Sequence, residues 1–247
     1  MEANSRTPLK DLIGKLDTLL LDLDGTLLHS QPGPDEALLD YAVSLGVQDG
    51  DERRRRAARW AHFYWAQSPE LAQDITTFQG LTDPFWINYA VRSLRVFDCT
   101  EECARDLAPD ICRYMEEEYQ PEDVVPPDVP VTLEAFQSAG YHLGVLSNRS
   151  QSCQEDLERL GLSTFFELAL VSAEVGFWKP DPRIFHCALE RMKSTPGRAA
   201  YVGDNYYADV IGAQRASIQA VLFDPMGIFP EANCPVIQRI GDLCALI

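Results

Sequence analysis

Lysine is nearly absent from this chain. Only Lys10, Lys15, Lys179 and Lys193 occur in 247 residues, and 21 lysines and arginines face 38 aspartates and glutamates, for a formal net charge of −17 at pH 7. Such a field disfavours nucleic acid and anionic membrane surfaces as partners. The one dense basic run, Arg53-Arg54-Arg55-Arg56, follows Asp51 and Glu52, and in that helical setting it reads as a solvated face. No apolar run is long enough to cross a bilayer, and Met1 to Lys15 lacks the apolar core of a signal peptide; the expectation is a soluble, cytoplasmic protein. Zinc-type cysteine spacing is missing as well. The seven cysteines are scattered, and Cys99 with Cys103 has no matching second pair, so they read as packing thiols. Without low-complexity tracts or internal repeats, and at 46% hydrophobic residues, the chain is globular and long enough for one large domain or two smaller ones.

What the chain does have is Leu19-Leu20-Leu21-Asp22-Leu23-Asp24-Gly25-Thr26. In an extended strand residues i and i+2 point the same way, so Asp22 and Asp24 can face one small volume at the strand end. Two anions that close need a cation, a shared proton, or both. Mg2+, a hard ion that takes carboxylate, carbonyl and water ligands, suits the pair and usually arrives with a substrate phosphate. Gly25 lets backbone approach a bound anion. An acidic turn after a strand is the plainer alternative.

Two proline-rich breaks, Gln31-Pro32-Gly33-Pro34 and Pro126-Pro127-Asp128-Val129-Pro130, bracket a stretch whose pattern is helical over 35–47, 51–67, 68–79, 83–97 and 100–119. Ser68-Pro69 and Asp83-Pro84 each place a capping side chain before a proline at the first helical position. After residue 131, helices (132–139, 151–160, 181–192, 207–216) alternate with strands (142–146, 168–171, 199–202, 219–223). That alternation predicts an α/β fold, a parallel sheet flanked by helices, with ligands at the carboxyl ends of the strands. The expected division is an α/β core over 1–30 and 128–247 and an inserted all-α cap over 31–127.

Four polar clusters stand in order: Asp22-x-Asp24-Gly25-Thr26, Ser147-Asn148, Lys179-Pro180, and Gly203-Asp204 with Asp209 five residues on. Singly, Ser147 reads as a helix cap, Asp209 as a surface acid and Lys179 as a loop charge. Together they resemble the haloacid dehalogenase-like (HAD) hydrolase superfamily, in the phosphoglycolate phosphatase-like branch whose helical cap follows the first core strand. The flank Gly176-Phe177-Trp178 before Lys179 and Pro182-Arg183-Ile184-Phe185 after it look like that family's third motif. The resemblance implies a Rossmann-like core with Asp22 as nucleophile, Asp24 as general acid and base, and Mg2+ held by Asp22, the backbone carbonyl of Asp24, and Asp204. It further implies Asp209 as a supporting acid or ligand and Lys179 as the counter-charge. Ser147 and Asn148 would hold the phosphate, with Gly25 and Thr26 shaping the first loop.

These roles predict a Mg2+-dependent phosphatase acting on a small phosphorylated metabolite through an aspartyl-phosphate. The alternatives are a phosphotransferase or sugar-phosphate mutase on the same scaffold, and a non-catalytic regulator that binds metal or phosphometabolite. The helical insert holds no lysine, which disfavours the phosphonate-cleaving relatives that form a Schiff base there. The dehalogenases themselves lack the second motif aspartate, present here as Asp24. Trp60, Phe63, Tyr64 and Trp65 are spaced for helix packing, whereas Arg92, Arg95, Tyr64 and Trp86 are candidates to meet a leaving group. Oligomeric state leaves no trace in the sequence.

Overall fold

Alternation around Leu20 sets the core. In the structure, a computed structural model that describes residues 16–247, strand β1 (Thr18–Leu21) buries side chains on both faces. Leu19 and Leu21 join one apolar cluster and Leu20 joins another, as period-2 geometry requires of a central strand. The expectation placed on residues 1–15, and Lys10 and Lys15 with it, lies outside the described residues.

Beyond β1 come β2 (His29–Gln31), α1 (Pro34–Ser44), α2 (Asp51–Trp65), α3 (Pro69–Phe78), α4 (Asp83–Val96), α5 (Glu101–Glu117) and β3 (Glu122–Val124). Next are α6 (Asp128–Ser138), β4 (His142–Ser147), α7 (Gln154–Arg159), β5 (Leu168–Val171), α8 (Ser172–Val175) and α9 (Pro182–Arg191). The chain finishes with β6 (Ala199–Gly203), α10 (Ile211–Arg215), β7 (Gln219–Phe223) and β8 (Val236–Ile237). Six strands form one parallel sheet in the order β5-β4-β1-β6-β7-β8. Helices pack its two faces, and β1 lies at the centre with β4 and β6 as neighbours, so their carboxyl ends converge at the crevice where ligands bind in open α/β sheets.

Two compact units result: the chain up to His29 together with Val124–Ile247, and Ser30–Asp123. The second is helical, with a core of Leu38, Tyr64, Phe85, Leu94, Phe97 and Ile111. The chain enters and leaves it through β2 and β3, which pair as a separate two-stranded sheet.

Some boundaries differ from the sequence pattern. Helix α6 begins at Asp128, so Val129 and Pro130 belong to it and not to the preceding break; the first turn of a helix has no N–H partners to lose, and proline is tolerated there. Asp83 is itself the first residue of α4 with Thr82 before it, whereas Ser68 caps α3 as expected, accepting the Leu71 N–H at 3.1 Å. Helix α7 starts only at Gln154. The segment expected to be one helix over 207–216 opens as a π-type turn, Tyr206–Val210, ahead of α10.

Candidate active site

The register Leu20↔Tyr201 puts β1 and β6 side by side, so the next same-face residue of β1, Asp22, emerges just above Tyr201. The Asp22 N–H continues the ladder onto Val202 O at 2.8 Å, and its carboxylate is almost fully buried. Lys179 arrives from the loop before α9 and is only 2% exposed, which rules out a solvated loop charge. Its Nζ donates to Asp22 Oδ1 (2.7 Å), Asp209 Oδ1 (2.7 Å) and Tyr201 Oη (2.8 Å). An ammonium has three protons, and all three are placed.

Asp209 is fully buried, not a helix-surface acid. The π-type turn turns it inward: its N–H donates to Asn205 O (2.7 Å) while its Oδ2 accepts from Asn205 N (2.9 Å). The Asn205 side chain caps the same turn, accepting from Tyr207 and Ala208 N–H at 3.0 Å each. Gly203 is needed here, because a Cβ at that position would lie 2.3 Å from Asp209 Oδ2. Gly25, at φ +81°, likewise brings bare backbone against Asp204, where a Cβ would come within 2.6 Å of Oδ2. Thr26 is buried, its Oγ1 3.5 Å from Asp204 Oδ1.

Ligand oxygens of Asp22, Asp204 and Asp209 lie within 4.8 Å of one another. Three carboxylates share one ammonium, so negative charge is in excess. Burial first, then the neighbouring acids, push Asp22 well above the usual carboxylate range against the pull of Lys179. Burial and Asp209 raise Asp204 to about 7. Burial works against the Lys179 charge, yet Asp209 and Asp22 hold it above the ordinary lysine value, so it stays protonated. Three carboxylates against one ammonium leave two negative charges in excess when all are ionised, and such a set of hard oxygen donors fits a divalent cation.

The other sequence candidates divide. Ser147, the last residue of β4, caps no helix; its Oγ donates to Asp24 Oδ2 at 3.2 Å. Asn148 is a bracket for the lysine loop: its side chain donates to Lys179 O (2.9 Å) and accepts from Lys179 N (2.7 Å) and Ser172 Oγ (2.8 Å). The Asp24 carboxylate stands apart from the three-acid cluster, half exposed and gripped by Arg149 through Nε (2.8 Å) and Nη2 (2.5 Å). Arg149 was not singled out from sequence, although its place directly after Ser147-Asn148 was a signal. Tyr201 gave none, since a tyrosine inside an apolar strand reads as core.

Within the helical unit, two leaving-group candidates are engaged with a common acid, Asp74. Tyr64 is fully buried and donates to Asp74 Oδ2 (2.9 Å), which Arg92 also meets at 2.8 Å. Arg95 pairs with Glu101 and the Cys99 carbonyl. The 53–56 run is a salt-bridged face, with Arg54 on Asp40 and Asp49 and Arg56 on Asp98.

A Rossmann-like parallel sheet with a buried lysine and a cluster of three acids at its carboxyl edge defines an α/β enzyme core. The model of the haloacid dehalogenase-like hydrolases matches residues 16–217, and the chain belongs to that family. It is 34% identical over 248 residues to the phosphoserine phosphatase of Thermus thermophilus, spanning 91% of this chain and 95% of that protein. Similarity to the ribulose-1,5-bisphosphate 5-phosphatase of Halopiger xanaduensis is 31% over 211 residues, 84% of each. The crystal structure of a HAD phosphatase from Thermococcus onnurineus shares the fold at a TM-score of 0.54 and 23% identity, over 92% of this chain and 96% of that one.

Proposed function

We propose that this hydrolase removes the phosphoryl group from a small soluble phosphomonoester, with Asp22 as nucleophile and Mg2+ as the cation held by Asp22, Asp204 and Asp209. The observation that carries the reading is the buried Lys179, bonded at 2.7 Å to both Asp22 and Asp209, which leaves one Asp22 oxygen, Oδ2, for attack. The long, nearly full-length similarity to proteins named as phosphatases supports it. The free cysteines fit the reducing cytoplasm.

Asp22 Oδ2 attacks phosphorus in line, and the bond from phosphorus to the ester oxygen breaks as the aspartyl-phosphate forms. Asp24, half exposed beside Ser147, gives a proton to the departing oxygen; its carboxylate then takes one from the water that attacks the acyl-phosphate, returning Asp22 and inorganic phosphate. Lys179 fixes the Asp22 rotamer and offsets its charge. The Asn148 backbone N–H, and Ser147 Oγ once its single proton turns from Asp24 Oδ2 to the substrate, would hold phosphoryl oxygens, while Gly25 and Thr26 keep the first loop against Asp204. Mg2+ held by Asp22, Asp204 and Asp209 would supply positive charge beside the anionic phosphoryl group.

The test is phosphate release from phosphoserine, ribulose-1,5-bisphosphate and a panel of sugar and polyol phosphates, with and without EDTA. Wild type is expected to release phosphate without an added acceptor and to stop in EDTA, and Asp22→Asn to lose turnover by at least about 10³-fold. Undiminished activity in Asp22→Asn overturns the assignment.

A further inference from the structure

The helical unit contains a concave site that the proposed chemistry does not use. Between α1, α4 and α5 lies a cavity of about 570 Å³, within the range that accommodates small organic ligands. Leu38, Ile87, Met115 and the exposed Trp86 supply apolar and aromatic wall, and Asp35, Asp83 and Glu116 supply charge. The arginine on the wall, Arg113, is already paired with Asp110 at 2.8 Å. The whole unit, residues 30–123, carries nineteen aspartates and glutamates against nine arginines and no lysine. Asp35 is held from behind, its Oδ1 accepting the Tyr89 hydroxyl at 2.6 Å while that hydroxyl accepts Trp65 Nε1 at 3.1 Å. The field inside registers on Cys112, a lining thiol whose pKa is pushed up by burial and then by Asp83.

We propose that this cavity binds an organic ammonium ion carried on an apolar or aromatic body. Each feature of the wall excludes a rival occupant. An anion meets three uncompensated carboxylates. A neutral apolar molecule leaves those carboxylates desolvated without a counter-charge. A bare metal ion needs converging ligands, and among the described residues the only three-acid group within 4.8 Å is Asp22, Asp204 and Asp209; the cavity acids are spread along the wall, as suits a bulky cation. Trp86 lines the cavity with an aromatic ring of the kind that attracts an ammonium, and the aliphatic side chains receive the rest of the molecule.

The experiment is calorimetric titration of the intact chain with three probes of one shape: tryptamine (cation), tryptophol (neutral) and indole-3-propionate (anion). Tryptamine is expected to bind at least about tenfold more tightly than tryptophol, a difference of about 1.4 kcal/mol, and the propionate not to bind. Asp35→Asn, which keeps an acceptor for Tyr89, is expected to weaken tryptamine at least about fivefold and leave tryptophol unchanged; Asp83→Asn with Glu116→Gln, at the open side, serves if Asp35→Asn does not fold. Binding is read without turnover, so it stands or falls separately from the phosphatase reading: Asp22→Asn and added inorganic phosphate are expected to leave tryptamine binding intact. Equal binding of tryptamine and tryptophol, no tryptamine binding up to millimolar concentration, indifference to the acid substitutions, or loss of binding in Asp22→Asn each overturns the proposal.

Discussion

At the scale of single residues, the site turns on what surrounds one ammonium. Lys179 spends its three protons on Asp22, Asp209 and Tyr201, so in the proposed reaction it would act by holding Asp22 and keep no proton for a phosphoryl oxygen. The Tyr201 hydroxyl has a single proton of its own, and Leu146 O at 3.0 Å and Asp209 Oδ1 at 3.1 Å compete for it. Removing that hydroxyl leaves a buried N–H without an acceptor, at a cost of about 1–3 kcal/mol. Tyr201→Phe is therefore expected to lower kcat about ten- to a hundredfold with KM little changed; equal kcat in steady-state assays of the two proteins refutes it. Arg149 has a comparable hold on Asp24, with both carboxylate oxygens engaged.

At the scale of elements, the strand ends and the turns that follow them decide the geometry. Gly203 closes β6 directly against Asp209, and Gly203→Ala drives a Cβ into that carboxylate, which Lys179 and Asn205 hold from two other sides. Overpacking of this kind costs about 1–3 kcal/mol, which for a chain of this size lowers Tm by about 3–10 °C in calorimetry, and Mg2+ affinity is expected to fall with it. The alternation of helix and strand made the parallel sheet legible, but the period-2 rule placed Asp22 and Asp24 toward one volume, whereas β1 ends at Leu21 and the Asp24 carboxylate goes to Arg149, outside the cluster of Asp22, Asp204 and Asp209. Tyr201 was hidden because its role depends on the cross-strand register with Leu20 and on a loop 22 residues upstream. The π-type turn was hidden for a similar reason: Asn205 and Asp209 bond each other in a local pattern that residue spacing alone does not distinguish from an ordinary helix start. The start of helix α6 is hidden by the run of prolines, of which Pro130 lies in its first turn, where proline is tolerated.

At the scale of the whole molecule, the excess of acid makes stability depend on what neutralises the site. In the metal-free protein the folded-state pKa of Asp204 is about 7 against an ordinary 3.8, with Asp22 raised as well. A raised carboxyl binds its proton more tightly when folded, so its contribution is fully present below about pH 4 and is lost as pH rises through about 7. On the proposed function, Mg2+ held by these acids would replace the proton and reverse that loss. The Tm gain from millimolar Mg2+ is thus expected to be larger at pH 8 than at pH 5, and Asp204→Asn to flatten the difference, both read by thermal denaturation with and without EDTA. A gain that is equal at the two pH values contradicts the argument.

Among the described residues the chain crosses between the two units at the paired strands β2 and β3, and they have a consequence for how such a chain can change. Because both ends of the ninety-odd residue insertion sit side by side in one ribbon, the insertion can be exchanged as a cassette, or trimmed to a tight reversal, while β1, β4 and β6 keep their neighbours. The parallel sheet and the helical insertion are in that sense separately replaceable stretches of polypeptide.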